Sequence, residues 1–121
     1  VSSDRVRQRL TDVIENIDRI GDHVGAMSFA EFERDAKTID AVERCLQRIT
    51  EAVIKIGQER TAELAPDLPV EKVRGMGNVL RHDYDLINLG VIWVAVTDDL
   101  PELRAACVRA LDTLDSEAGP S

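Results

Sequence analysis

Hydrophobic residues recur along most of the chain at spacings of three and four, the period of a helix face rather than of a strand. In residues 4–24, Val6, Leu10, Val13, Ile14, Ile17 and Ile20 fall on one face. Ser3 or Asp4 is placed to cap the start, and Gly21 and Gly25 to mark the end. His23 lies in the last turn, where a cation opposes the helix dipole favourably, and reads as an exposed or capping residue. Residues 25–37 change texture: Ser28 can cap a brief helix containing Phe29, Glu31 and Phe32, whose rings are expected to pack under the first helix. Residues 38–63 carry the strongest pattern. Ile39, Val42, Leu46, Ile49, Val53 and Ile56 alternate three and four, and Ala41, Ala52 and Ile54 widen the stripe. Such a stripe serves an intramolecular bundle or a dimer, and we read a bundle with dimerisation added nearby.

The segment L-A-P-D-L-P-V, 64–70, is a proline-punctuated link, and Pro69 suits the first turn of a helix over about 70–83. Residues 86–97, L-I-N-L-G-V-I-W-V-A-V-T, are rich in β-branched side chains and read locally as a strand. A lone strand would have no partner in a helical chain, so a buried helix is expected, with Trp93 in the core or at an interface. Asp98 or Asp99 can cap a last helix with Pro101 in its first turn and Leu103, Cys107, Val108, Leu111 and Leu114 as its apolar stripe. The pattern therefore predicts an all-α protein, an antiparallel helical bundle in one domain over 1–121, with a frayed tail at 116–121.

Composition narrows the function. Hydrophobic residues make up 44% of the chain and charged ones 31%, as in a folded protein with a real core. Only Phe29, Phe32, Tyr84 and Trp93 are aromatic, so that core must be aliphatic. A net charge of −8 argues against a surface that grips nucleic acid or anionic lipid over its whole extent, while leaving room for a local basic patch. Cys45 and Cys107 lie far apart among apolar residues and read as buried free thiols. The chain has no C-x-x-C, no H-E-x-x-H and no carboxylate–histidine cluster, so neither a metal site nor a cofactor is expected. No secretory signal and no long apolar run is present, and a cytoplasmic protein without a membrane span is expected.

The candidate chemistry is concentrated in Arg74–Asp85, R-G-M-G-N-V-L-R-H-D-Y-D. Wound as a helix with Arg74 at the origin, Arg81 falls at about −20°, Asp85 at about +20°, Asn78 at about +40° and His82 at about +80°. Tyr84 falls at about −80°, and Val73, Met76, Val79 and Leu80 take the opposite side. Guanidinium groups bind phosphate oxygens in a planar fork, and imidazole moves protons near neutral pH. An Arg–Asn–His face is thus a plausible phosphate-handling surface, and equally a solvated helix face. Gly75 and Gly77 weaken the helix while permitting close approach of a second helix or of a nucleic-acid backbone.

The ordered combination G-M-G-N-V-L-R-H-D-Y-D, then I-W, then D-D-L-P-E-L, after an amphipathic helix and a long striped one, resembles the HepT-like proteins of the HEPN superfamily over nearly the whole chain. The resemblance implies a HEPN-type bundle that forms a homodimer with the motif helices facing a shared cleft. It implies a metal-independent RNA endonuclease acting as the toxin of a type VII toxin–antitoxin pair. Its partners would be RNA, whether tRNA or mRNA, and an MntA-like minimal nucleotidyltransferase antitoxin that transfers AMP onto the tyrosine two residues after the motif histidine, here Tyr84. His82 and Tyr84 match the family's motif, and Asn78 fits it. The arginine does not: its usual slots, five to seven residues before the histidine, hold Gly77, Met76 and Gly75. Arg81 and Arg74 are the remaining candidates, with Asp85 placed to orient Arg81 across one turn. The expected catalytic set is therefore His82, Arg81, Arg74 and Asn78. The alternative is a catalytically inactive HEPN module that binds a nucleotidyltransferase or a nucleotide through the same face.

Overall fold

A computed structural model describes residues 2–82 and 89–117, with the backbone alone for 79–82. Those residues form seven α-helices and one π-helical turn, with no strand among them: α1 (Ser3–Val24), α2 (Phe29–Phe32), α3 (Ala36–Ile56), α4 (Gln58–Leu64), α5 (Val70–His82), α6 (Leu89–Val94), the π turn (Ala95–Asp99) and α7 (Leu100–Glu117). The expected all-α bundle is what the chain adopts.

The central helix is α3. Its stripe is the core: Val42, Leu46, Ile49, Val53 and Ile56 are buried and Ile39 partly so. It packs most extensively on α1, whose Val6, Leu10, Val13, Ile17 and Ile20 are buried, and next on α5. The predicted widening holds for Ala52 but not for Ile54, which is 55% exposed on the outer flank. Residues 38–63 are also two helices rather than one. Gly57 takes φ 90° and ψ 150°, a conformation that glycine adopts readily and that ends α3 and starts α4. At the chain start the cap is Ser2, one residue earlier than expected, accepting from the Arg5 amide at 3.3 Å. Gly21 lies inside α1, which runs on to Val24.

Ion pairs show how α7 lies. Arg7 meets Asp115 at 2.9 Å and Asp18 meets Arg104 at 2.9 Å. As α1 advances the partner number falls by the same step, so the two helices run antiparallel. The pair with Arg104 holds the Asp18 carboxyl below its ordinary range, chiefly through the side-chain hydrogen bond. Arg60 reaches Glu117 at 3.2 Å, at the last helical turn of α7.

The segment after residue 88 is helical as expected, but only one side of it is buried. Ile92 and Ala95 are in the core while Val91 and Val94 are 45% and 51% exposed. Trp93 receives both phenylalanines: Phe32, fully buried, lies 5.2 Å from it between ring centroids, and Phe29 meets it edge-on at 5.9 Å. Ser28 and Glu31 close a reciprocal capping box that fixes α2 and hence both rings. The expected cap at Asp98 or Asp99 is absent, because the π turn passes directly into α7 with Leu100 in helical conformation. Asp98 instead accepts from the Thr97 hydroxyl at 3.2 Å, and Asp99 faces Lys72 of α5 at 3.6 Å. Cys45 and Cys107 are buried free thiols, and burial pushes the Cys107 thiol up to about 12.

Candidate functional site

The motif helix is α5, and its sequence explains both of its faces. The Pro69 carbonyl accepts from the Val73 amide at 3.1 Å and opens the helix. Val73 and Met76, one turn apart, are buried against the core. Arg74 and Asn78, also one turn apart, are exposed on the other side. The helix keeps these two predicted residues on one arc, with Arg74 donating to Glu71 at 3.4 Å. That pair is solvent-exposed and contributes little to stability. Arg81 and His82 are the last two residues of the helix, and only their backbone is described. Tyr84 and Asp85 lie outside the described residues.

Beside the motif helix is an apolar groove of about 560 Å³ between α5 and α6, lined by Gly75, Met76, Val91 and Val94 and edged by Lys72 and Asp99. Gly75 faces open space, with nothing within 4 Å of where a Cβ would stand. Lys72, at the rim, also reaches Glu102 at 3.7 Å and so ties α5 to α7. No helix among the described residues is long and apolar enough to cross a membrane. Those residues also contain no cluster of His, Cys, Asp and Glu able to hold a metal ion.

One polar residue was not singled out by the helical pattern. Asn16 stands three residues after Val13 and four before Ile20, on the buried face of α1, and is 7% exposed. An asparagine at a core register is a signal that periodicity can carry, and it lines a second, polar pocket between α1 and α3.

The described residues thus form a helical bundle whose fifth helix exposes Arg74 and Asn78 on one arc and ends in Arg81 and His82. The chain belongs to the HepT-like ribonuclease family, whose model, "Ribonuclease HepT-like", matches residues 13–110. It is 35% identical over 96 residues to "Putative RNase MJ0127" of Methanocaldococcus jannaschii, covering 79% of this chain and 78% of that one. It is 33% identical over 95 residues to "Probable ribonuclease HepT" of Thermococcus cleftensis, covering 78% and 86%. At the same stringency no solved structure matches the chain.

Proposed function

We propose that this chain is a metal-independent RNA endonuclease and the toxin of a type VII toxin–antitoxin pair. The observation that carries the reading is the family match over 13–110, which includes the whole of α5 with its exposed Arg74 and Asn78 and its terminal Arg81 and His82. In this reading His82 takes the proton of a ribose 2′-hydroxyl. The freed oxygen attacks the adjacent phosphorus, the 5′-oxygen leaves and is protonated, and the strand ends in a 2′,3′-cyclic phosphate. Arg81 and Arg74 offset the charge that grows on the phosphate, and Asn78, one turn before His82, positions the imidazole or the strand. A need for the 2′-hydroxyl spares DNA.

Dimerisation is part of the proposal. The α5–α6 groove exposes Val91 and Val94 beside an open Gly75, so a second copy seated there would bury apolar surface and bring two motif helices together. Both chains would then contribute arginines to one cleft, which compensates for the lack of arginine at the usual slots, Gly75, Met76 and Gly77. The antitoxin would be an MntA-like nucleotidyltransferase that silences the toxin by placing AMP on Tyr84. That adds a bulky anion beside His82 and the arginines, where it competes with RNA phosphate. Expression of the chain alone should arrest growth, His82→Ala should abolish the arrest, and the transferase should relieve it. Arrest by His82→Ala equal to wild type would contradict the reading.

A second reading is favoured by a specific feature, the absence of arginine from all three usual slots, Gly75, Met76 and Gly77. A module without the usual arginine that binds the transferase and leaves RNA intact would form a stable complex with it and show no cleavage.

A further inference from the structure

We propose that the seam between α1 and α3 is a docking surface for a second copy of this chain, separate from the α5–α6 groove. The proposal rests on how charge is ordered along that seam. α1 spans 22 residues, about 33 Å of helix. The residues joining it to α3, 25–35, include the short α2 and reach about 30 Å at most. That is too short to return to the start of α1, so the two helices, packed along their lengths, run antiparallel. The charged residues of the seam then fall in levels. Arg9 and Lys55 stand at one end, Asp12, Glu15 and Glu51 in the middle, and Arg19 and Arg48 at the other end.

Like charges therefore lie beside each other across the seam, Glu15 with Glu51 and Arg19 with Arg48. This accounts for a contrast within the molecule. α7 is joined to α1 by Arg7–Asp115 and Asp18–Arg104, and to α4 by Arg60–Glu117. Along the α1–α3 seam the ion pair is Arg9–Asp12, at 3.9 Å and within α1, whereas Glu15, Arg19, Arg48, Glu51 and Lys55 have none among the described residues. Opposite charges do stand one turn apart along each helix, but exposed pairs of that kind contribute little. Glu15, Arg19 and Glu51 are exposed and Arg48 is half-buried, so all four can be reached from outside.

The order is self-complementary. A twofold axis lying in the interface, and crossing both helices between the glutamate and arginine levels, sets Arg19 of one copy over Glu15 of the other and Arg48 over Glu51, in both directions. Ile54, exposed one turn beyond Glu51, adds an apolar contact at the flank. A chain of net charge −8 repels its own copies in most orientations, so a patch that pairs signs locally selects this one.

The surface is independent of the cleavage chemistry, and its failure would leave that reading standing. The test is sedimentation velocity of the full chain, of Arg48→Glu, of Glu51→Arg, and of an equimolar mixture of the two variants. Wild type should associate at low salt and dissociate as salt rises. Each variant alone sets like charges opposite each other and should weaken self-association at least about tenfold. The mixture sets the carboxylates of one variant against the cations of the other and should restore association. Glu15→Arg and Arg19→Glu form a second such pair on α1, used if an α3 variant fails to fold. Three outcomes would overturn the proposal: wild type without salt-sensitive association, association unchanged in both variants, or a mixture that associates no better than its components.

Discussion

The chemistry proposed here depends on a few side chains whose neighbours set what they can do. Among the described residues Arg74 is held only by an exposed contact with Glu71, so in the proposed mechanism a phosphate can recruit it without breaking a buried pair. Arg74→Ala should therefore leave folding intact, and any loss of cleavage would be a direct loss of phosphate binding. Tyr84 serves a separate role in the proposal. Tyr84→Phe should keep toxicity and escape silencing, read as growth under co-expression of the transferase and as AMP mass on the protein. Relief of that mutant's toxicity without AMP on it would show that the antitoxin acts by binding. Cys107 illustrates the opposite extreme, a group removed from chemistry by its surroundings. Its thiol is raised from the usual 9.0 to about 12 by burial alone. The folded state thus holds the proton more tightly than the unfolded chain. Stability is complete below about pH 9 and falls as pH rises toward about 12, by up to about 1.4 kcal/mol per pH unit. Urea unfolding at pH 8, 9.5 and 10.5 should show that decline, and Cys107→Ala should flatten it while costing about 1 kcal/mol for the small cavity.

The helices form where apolar spacing demands them, and their boundaries depend on finer features. Gly57 and Gly75 make the contrast measurable. Gly57 sits at φ 90°, so Gly57→Ala should destabilise the chain by about 1–3 kcal/mol although nothing crowds the new methyl. Gly75 is helical with open space around it, so Gly75→Ala should stabilise the monomer by about 0.5–1 kcal/mol. If a second copy seats in the α5–α6 groove, the same substitution should weaken the dimer, visible as a shift toward monomer in sedimentation. These cases also show what the sequence makes legible. The stripes of α1 and α3 are readable because each repeats over many turns, and the Arg74–Asn78 arc is readable because both residues lie within one helix. The break at Gly57 is not readable, since a glycine inside a helical pattern carries only a modest cost and its φ is set by packing. The π turn at Ala95–Asp99 escapes a search for the α-helical period because its hydrogen bonds skip one residue further. The meeting of Phe29 and Phe32 on Trp93 joins residues about 60 positions apart, beyond the reach of local pattern. Asn16 was within reach, as an asparagine set among valine and isoleucine on a buried face.

Across the whole molecule, an acidic chain has placed its cations in a few groups. Pairs such as Arg104–Asp18, Arg7–Asp115 and Arg60–Glu117 run between α7 and the rest of the bundle, and Arg109 also meets Asp67 there. Arg19, Arg48 and Lys55 collect on the α1–α3 side, while Arg74 and the arginine before His82 belong to the motif helix. An RNA held by these cations should bind more weakly as salt rises, with a shallow slope because few phosphates are neutralised. Cleavage should accordingly be most efficient at low ionic strength. The central claim is that the motif helix cuts RNA through its histidine without a metal. The purified chain and its His82→Ala variant should be incubated with total RNA and with tRNA in excess chelator, and new 3′ ends mapped. Cleavage by the wild type alone, leaving 2′,3′-cyclic phosphates, is the predicted result, whereas RNA left intact by both proteins, or cut equally by both, would contradict it.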